Sequence, residues 1–185
     1  MSVTEIFATL GGCIAGQEIY RQTDEMLSIM NPPYLTSRDS LPQALQTALR
    51  PEFRADMDLS KVRYVSDTNG FGVINWFNSE AEAITIGNLI YFKRNVKWSA
   101  QAHCWLLMHE LVHVWQFQRR RSIKLVFSCD YGIGYANNGY EANPMEKEAR
   151  DFVEAHFEDF WKRYIASPLP PPPPAYPHSI WLLQS

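Results

Sequence analysis

Hydrophobic positions along this chain change their spacing twice, and each change predicts a different kind of element. In the first fifty residues Ile19, Met26, Leu27 and Met30 recur at helical intervals, predicting a helix over 17–30 that Asn31-Pro32-Pro33 stops. A second short helix is predicted from Leu41 to Arg50, with Asp39 or Ser40 as its cap and Pro51 just beyond it. From Lys61 the apolar positions become β-branched or aromatic and come in short runs: Val62, Tyr64 and Val65, then Phe71, Val73 and Ile74, then Ile84, Ile86, Ile90 and Phe92. Gly87-Asn88 divides two such arms, Ala83-Ile84-Thr85-Ile86 and Leu89-Ile90-Tyr91-Phe92, and predicts a hairpin.

Helical spacing then returns. Ser99 offers an N-cap, and Ala100 to Arg120 contains neither Gly nor Pro. Its apolar residues, from Trp105 to Phe117, occupy every face, as in a helix that runs through the core. Gly132, Gly134, Asn137, Asn138 and Gly139 predict an irregular loop. The following helix is capped by Asn143, with Pro144 where a missing N–H is harmless, and Ala149, Phe152, Val153, His156, Phe160, Trp161 and Tyr164 carry its period to about Ile165. Residues 167–185 contain no charged side chain, and seven of the ten residues from Pro168 to Pro177 are proline, which predicts an extended polyproline tail.

Composition bounds the class. A chain of 185 residues that is 46% hydrophobic can build one sizeable core, so a disordered or fibrous protein is excluded for most of its length. The expected fold class is α+β: a single domain with a small mixed β-sheet packed on a central helix, plus the tail. Its expected organisation is an N-terminal helical segment packed on the core (1–55), a core (56–166) and the proline-rich tail (167–185). A net charge of −3 supplies no basic field for nucleic acid or an anionic membrane. No apolar run approaches the ~20 residues that span a bilayer. Cys13, Cys104 and Cys129 cannot all pair and show no metal-knuckle spacing, so the expectation is no disulfide scaffold and a reducing compartment. The N-terminus lacks a basic stretch before its mildly apolar 6–16 segment; the expectation is cytoplasmic synthesis, with export only by a route that needs no signal peptide.

The chemical signal is His109-Glu110-Leu111-Val112-His113. Residues four apart on a helix share a face with Cβ atoms ~5–6 Å apart, so two imidazoles there can grip one Zn²⁺ at ~2.0–2.1 Å each. Glu110 is displaced by about 100° around the helix, which places it beside the ion as a general base and not as a ligand. Burying two unliganded imidazoles and a carboxylate in so apolar a helix would be costly. A hydrolytic zinc needs a third protein ligand. His103 lies on another face, His156 deep in the next helix and His178 in the tail. The acidic start of the last helix is the better source, with Glu146 first, then Glu148 and Glu141. As the third helical residue Glu146 could also reach back to the Asn143 backbone as a capping-box partner.

The His-Glu motif with its trailing Gln116, together with Asp58-Leu59-Ser60-Lys61-Val62-Arg63, the 83–92 hairpin and Asn143-Pro144-Met145-Glu146-Lys147-Glu148-Ala149, resembles the zincin-like metallopeptidase family termed the core domain of extracellular contractile injection systems. The resemblance covers about residues 56–155 and implies a zincin fold whose edge strand can pair with an extended peptide. It also implies a bacterial protein that works with a secretion apparatus. Where glutamate-type zincins carry an acidic residue four positions after the third ligand, this chain has Arg150, with Asp151 one later.

The resulting expectation is a zinc-dependent peptidase acting on a peptide or protein substrate, with His109, His113 and Glu146 as metal ligands and Glu110 as general base. The alternatives are a weak or inactive zincin-like scaffold or adaptor of a contractile injection system, and a secreted metalloprotease toxin. Tyr131, Tyr135 and Tyr140 are candidate oxyanion donors. Arg119-Arg120-Arg121 reads first as a solvated helix end, and Cys104 as a small core residue. The tail reads as a spacer, as a ligand for a polyproline-binding module or secretion-apparatus partner, or as a strap over its own domain, and Ile180, Trp181, Leu182 and Leu183 after the prolines favour docking.

Overall fold

In a computed structural model of the chain, the described residues are 38–53, 57–66, 81–120 and 124–167, with 13, 14 and 17. The predicted 17–30 helix, the 71–74 strand signal and the proline tail lie outside them. The described part is α+β. Strands β1 (Asp39–Ser40), β2 (Arg63–Val65), β3 (Ala83–Ile86) and β4 (Leu89–Phe92) form one sheet in the order β1-β2-β4-β3. Only the β2–β4 pairing is parallel, so the sheet is mixed. β3 and β4 are the predicted hairpin, in register from Ala83↔Phe92 to Ile86↔Leu89, and Gly87 turns it at φ 64°, a conformation that residues with a Cβ rarely adopt.

Four helices pack on this sheet and on one another: α1 (Gln43–Phe53), α2 (Gln101–Arg119), α3 (Lys124–Asn138) and α4 (Pro144–Ala166). α2 runs through the middle, with Cys104, Leu107, Met108, Leu111, Val112 and Val114 sealed from solvent. Its apolar residues go all round because β3 lies on one side and α4 along another. Each such side chain contributes roughly 1.5–3 kcal/mol of transfer free energy, so the helix that carries the His-Glu motif is also a main source of stability. Gln118 anchors the sheet to the end of α2: its Oε1 accepts from the Asp58 N–H at 2.8 Å and its Nε2 donates to Asn88 Oδ1 at 2.8 Å.

Several local expectations are corrected. α1 begins two residues later than predicted and runs through Pro51 to Phe53. Asp39 and Ser40 are strand residues paired with Tyr64 and Arg63, not caps. Pro51 forfeits one i→i−4 hydrogen bond, offset by the buried place that Phe53 gains against Phe152 and Trp115. α2 starts from Ala100 with no side-chain cap, so Ser99 does not serve. The glycine-rich stretch predicted as a loop is the second half of α3. Its glycines permit close packing: a Cβ on Gly134 would stand 2.6 Å from Asn143 Oδ1, the atom that caps α4 by accepting from the Met145 N–H at 3.0 Å. Gly134→Ala is therefore expected to destabilise the protein by about 1–2 kcal/mol, overpacking and a damaged cap outweighing the gain in helix propensity. A thermal melt unchanged or raised by this substitution would refute the packing argument.

The cysteine reading is also corrected. Cys13 and Cys129 form a disulfide across 116 residues of sequence, tying the N-terminal part to α3. No spacing rule could disclose a pair that only the fold brings together. Cys104 is the buried free thiol, its pKa pushed up to about 12 by burial, an inert core residue. Among the described residues no helix is long and apolar enough to cross a membrane.

Candidate metal centre

His109 and His113 lie one turn apart on α2, and Glu146 stands in the first turn of α4. The Asn143 cap and Pro144 start that helix, and the cap's own N–H goes to Tyr140 O, so Glu146 is not used to close a capping box. Its carboxylate turns to the histidines: His109 Nε2 is 3.3 Å from Oε2 and His113 Nε2 is 3.4 Å from Oε1. One ligand atom from each of the three residues falls within 4.8 Å of the others. The two rings meet edge to face, with centroids 5.0 Å apart.

These groups are nearly closed to solvent, with relative exposures of 8% for His109, 5% for Glu110, 7% for His113 and 3% for Glu146. Burial opposes the Glu146 charge, but hydrogen bonds from His109 and His113 and the charges of both rings hold its carboxyl well below the usual range. Burial likewise works against an imidazolium at His113. The hydrogen bond and charge of Glu146, the charge of Glu110 and the Gln116 amide outweigh it, and its pKa rises to about 9.

The donor set fits a divalent ion. Two imidazole nitrogens and a carboxylate are the ligands of a hydrolytic zinc site, and a cation would neutralise the charge buried there. His109 Nδ1 is buried without a hydrogen-bond partner among the described residues, so no hydrogen bond there orients the ring. The His109 ring is instead stacked on Trp105, with centroids 6.0 Å apart at 16°.

Glu110 reaches β3, where the Thr85 hydroxyl donates to its Oε2 at 2.7 Å. Neither Thr85 nor Gln116 is marked by sequence reasoning as part of the site. Gln116 is fully buried; its Oε1 faces His113 Nδ1 at 2.9 Å, and its Nε2 donates to Met145 O and Glu148 Oε2, each at 2.9 Å. Its position three residues after His113 is a visible signal, whereas nothing in the sequence joins Thr85 to Glu110. Tyr131 donates its hydroxyl to Glu146 Oε1 at 2.9 Å, so it braces the third ligand and is not free for a substrate oxygen. The Tyr135 side chain lies outside the described residues. Tyr140 is exposed, and desolvation of its hydroxyl, then the charges of Glu146 and Glu110, raise its pKa.

The other candidates are engaged elsewhere. Glu148 takes Arg119 Nη2 at 2.8 Å on Oε1, and Glu141 is exposed with its carboxylate 3.9 Å from Arg150. Asp151 pairs with Lys147. Arg119 also lies over the Trp115 ring at 4.1 Å, and Arg120 pairs with Asp130 at 2.6 Å, so these two cations are structural; Arg121 lies outside the described residues. His103 Nδ1 accepts from the Lys97 N–H, and His156 pairs with Glu52, so neither reaches the centre.

Against known proteins, residues 40–121 match the family model described as the eCIS core domain, which supports an extracellular contractile injection system core domain over that stretch. The matched segment includes Thr85, His109, Glu110, His113 and Gln116 but ends before Glu146. No curated protein and no solved structure matches the chain.

Proposed function

We propose that the chain is a contractile injection system module that binds one zinc ion through His109, His113 and Glu146 and hydrolyses peptide bonds in an extended substrate. The observation that carries this reading is the convergence of two buried imidazoles on one buried carboxylate, with a second buried carboxylate, Glu110, directly after His109 in the chain. A zinc ion bound there supplies Lewis acidity, lowering the pKa of water toward ~7 and polarising a carbonyl.

The chain's own groups do the rest. Glu110 takes a proton from the attacking water and returns it to the leaving amine. Thr85 holds Glu110 Oε2, which leaves Oε1 without that bond and able to accept the proton. Thr85 belongs to β3, which is an edge of the sheet among the described residues, so a peptide paired along that edge would run past Glu110. Tyr140, which is exposed, is the candidate donor to the developing oxyanion. The Cys13–Cys129 bond suits a protein delivered out of the reducing cytoplasm by such an apparatus.

A second reading is favoured by the family match, whose description names a core domain and no reaction. In that case the ion ties the start of α4 to α2, and the module serves as a scaffold or adaptor. The test of the metal reading is elemental analysis of purified wild type beside His109→Ala, paired with a broad peptide-library digest. One zinc per wild-type chain, its loss in the variant and cleavage by the wild type alone are expected; wild type without stoichiometric metal sinks the proposal.

A further inference from the structure

We infer that Gln116 is a positioning residue for the metal centre: it commits His113 to the tautomer whose Nε2 lone pair faces His109 and Glu146, and ties that choice to the helix that carries the third ligand. The inference rests on the metal-binding reading above and deepens it. The amide of Gln116 has one orientation that satisfies its surroundings. Its NH₂ lies 2.9 Å from Met145 O and 2.9 Å from Glu148 Oε2, both of which can only accept. Its Oε1 must therefore be the atom 2.9 Å from His113 Nδ1, and an amide oxygen can only accept, so Nδ1 carries the proton. Nε2 is left to a ligand.

Glu148 is itself held by both its oxygens to Arg119 Nη2, at 2.8 and 2.9 Å, so a line of fixed groups runs from the end of α2 through Glu148 and Gln116 to His113. This answers the departure at Arg150. The orienting group is not an acidic residue four positions after Glu146 but an amide from the metal helix itself, backed by the acid two positions after Glu146. Met145 O, the second acceptor, belongs to the residue preceding the third ligand, so a shift of α4 would disturb the orientation of His113 and the reach of Glu146 together. Among the described residues His109 has no such partner at Nδ1, and its ring is stacked against Trp105. The two histidines are thus oriented by different means, and His113 is the one that a single polar substitution should loosen.

The test uses ¹⁵N-labelled full-length protein, metal-free and zinc-loaded, with zinc as the probe. In the wild type a His113 Nδ1–H signal protected from solvent exchange is expected in both states. Gln116→Met, which keeps the shape and removes both hydrogen-bonding functions, should lose that protection and bind zinc about 10–100-fold more weakly. If Gln116→Met does not fold, Glu148→Ala replaces it: this site is partly exposed, and loss of one of the two acceptors should weaken zinc binding in the same direction by about five- to tenfold. A zinc-binding wild type whose His113 Nδ1 lacks the proton, or a folded variant that binds within about threefold of wild type, overturns the assignment of Gln116 alone. A wild type with the protected Nδ1–H that takes up no zinc overturns the metal reading, and with it the positioning role.

Discussion

Glu110→Gln is expected to lower peptide hydrolysis by about a thousandfold while zinc content and melting temperature stay near wild type. A positioned general base contributes roughly 10²–10⁴ in rate, and a glutamine cannot accept the proton. Its amide oxygen can still receive the Thr85 hydroxyl that now reaches Glu110 Oε2 at 2.7 Å, so the packing between α2 and β3 should survive. Steady-state cleavage of a peptide found by the library digest, with metal analysis of the same samples, checks this. Hydrolysis that persists in the variant removes Glu110 from the mechanism. Wild type and variant that both hold zinc and both fail to cleave leave the scaffold reading in place.

Chelation is expected to produce the largest change in stability. An ion held at a thousandfold excess over its dissociation constant stabilises the folded state by about 4 kcal/mol. For a chain of this size that corresponds to a fall in melting temperature on the order of 10 °C when the ion is stripped. The size of the effect should depend on pH in a definite direction. In the metal-free protein the His113 pKa is raised to about 9 and that of Glu146 is lowered. Their pairing therefore contributes fully between the ordinary values of 4.5 for Glu and 6.5 for His. It is lost as the pH rises through about 9, and on the acid side as the pH falls below 4.5. Zinc competes with the His113 proton, so its affinity rises over the same alkaline range. The gap between loaded and stripped protein should widen from pH 6.5 to pH 9. Melts with and without chelator at both ends of that range decide the matter; a gap independent of pH would mean that His113 gives up no proton on binding.

Why some of this was legible before the fold was known follows from where the determining interactions lie. A helix of nineteen residues, Gln101–Arg119, with histidines at 109 and 113 is a local pattern, and the i, i+4 geometry that pairs them is intrinsic to the helix. The 83–92 hairpin is equally local, since Gly87 supplies the turn and the alternating arms supply the pairing. Asn143 and Pro144 announced α4 for the same reason. The errors share the opposite character. Gly132 and Gly134 look like loop residues by propensity, yet both lie in a helix, and at Gly134 the start of α4 comes too close for a Cβ. Pro51 looks like a stop, yet Phe53 carries α1 past it because a buried site awaits its ring.

By itself, then, the sequence determined the class of the fold, the helix that bears the paired imidazoles, the position proposed for the general base and the short list of acids from which a third ligand would come. Only the tertiary structure decided among those acids, by starting α4 where Glu146 faces His109 and His113 while Glu148 turns to Gln116 and Arg119. It alone placed Thr85 on Glu110 and Tyr131 on Glu146, and it alone joined Cys13 to Cys129. The physical reason is range: backbone geometry links residues a turn apart, but the partners of a buried polar group are set by whichever distant segment the hydrophobic core brings against it.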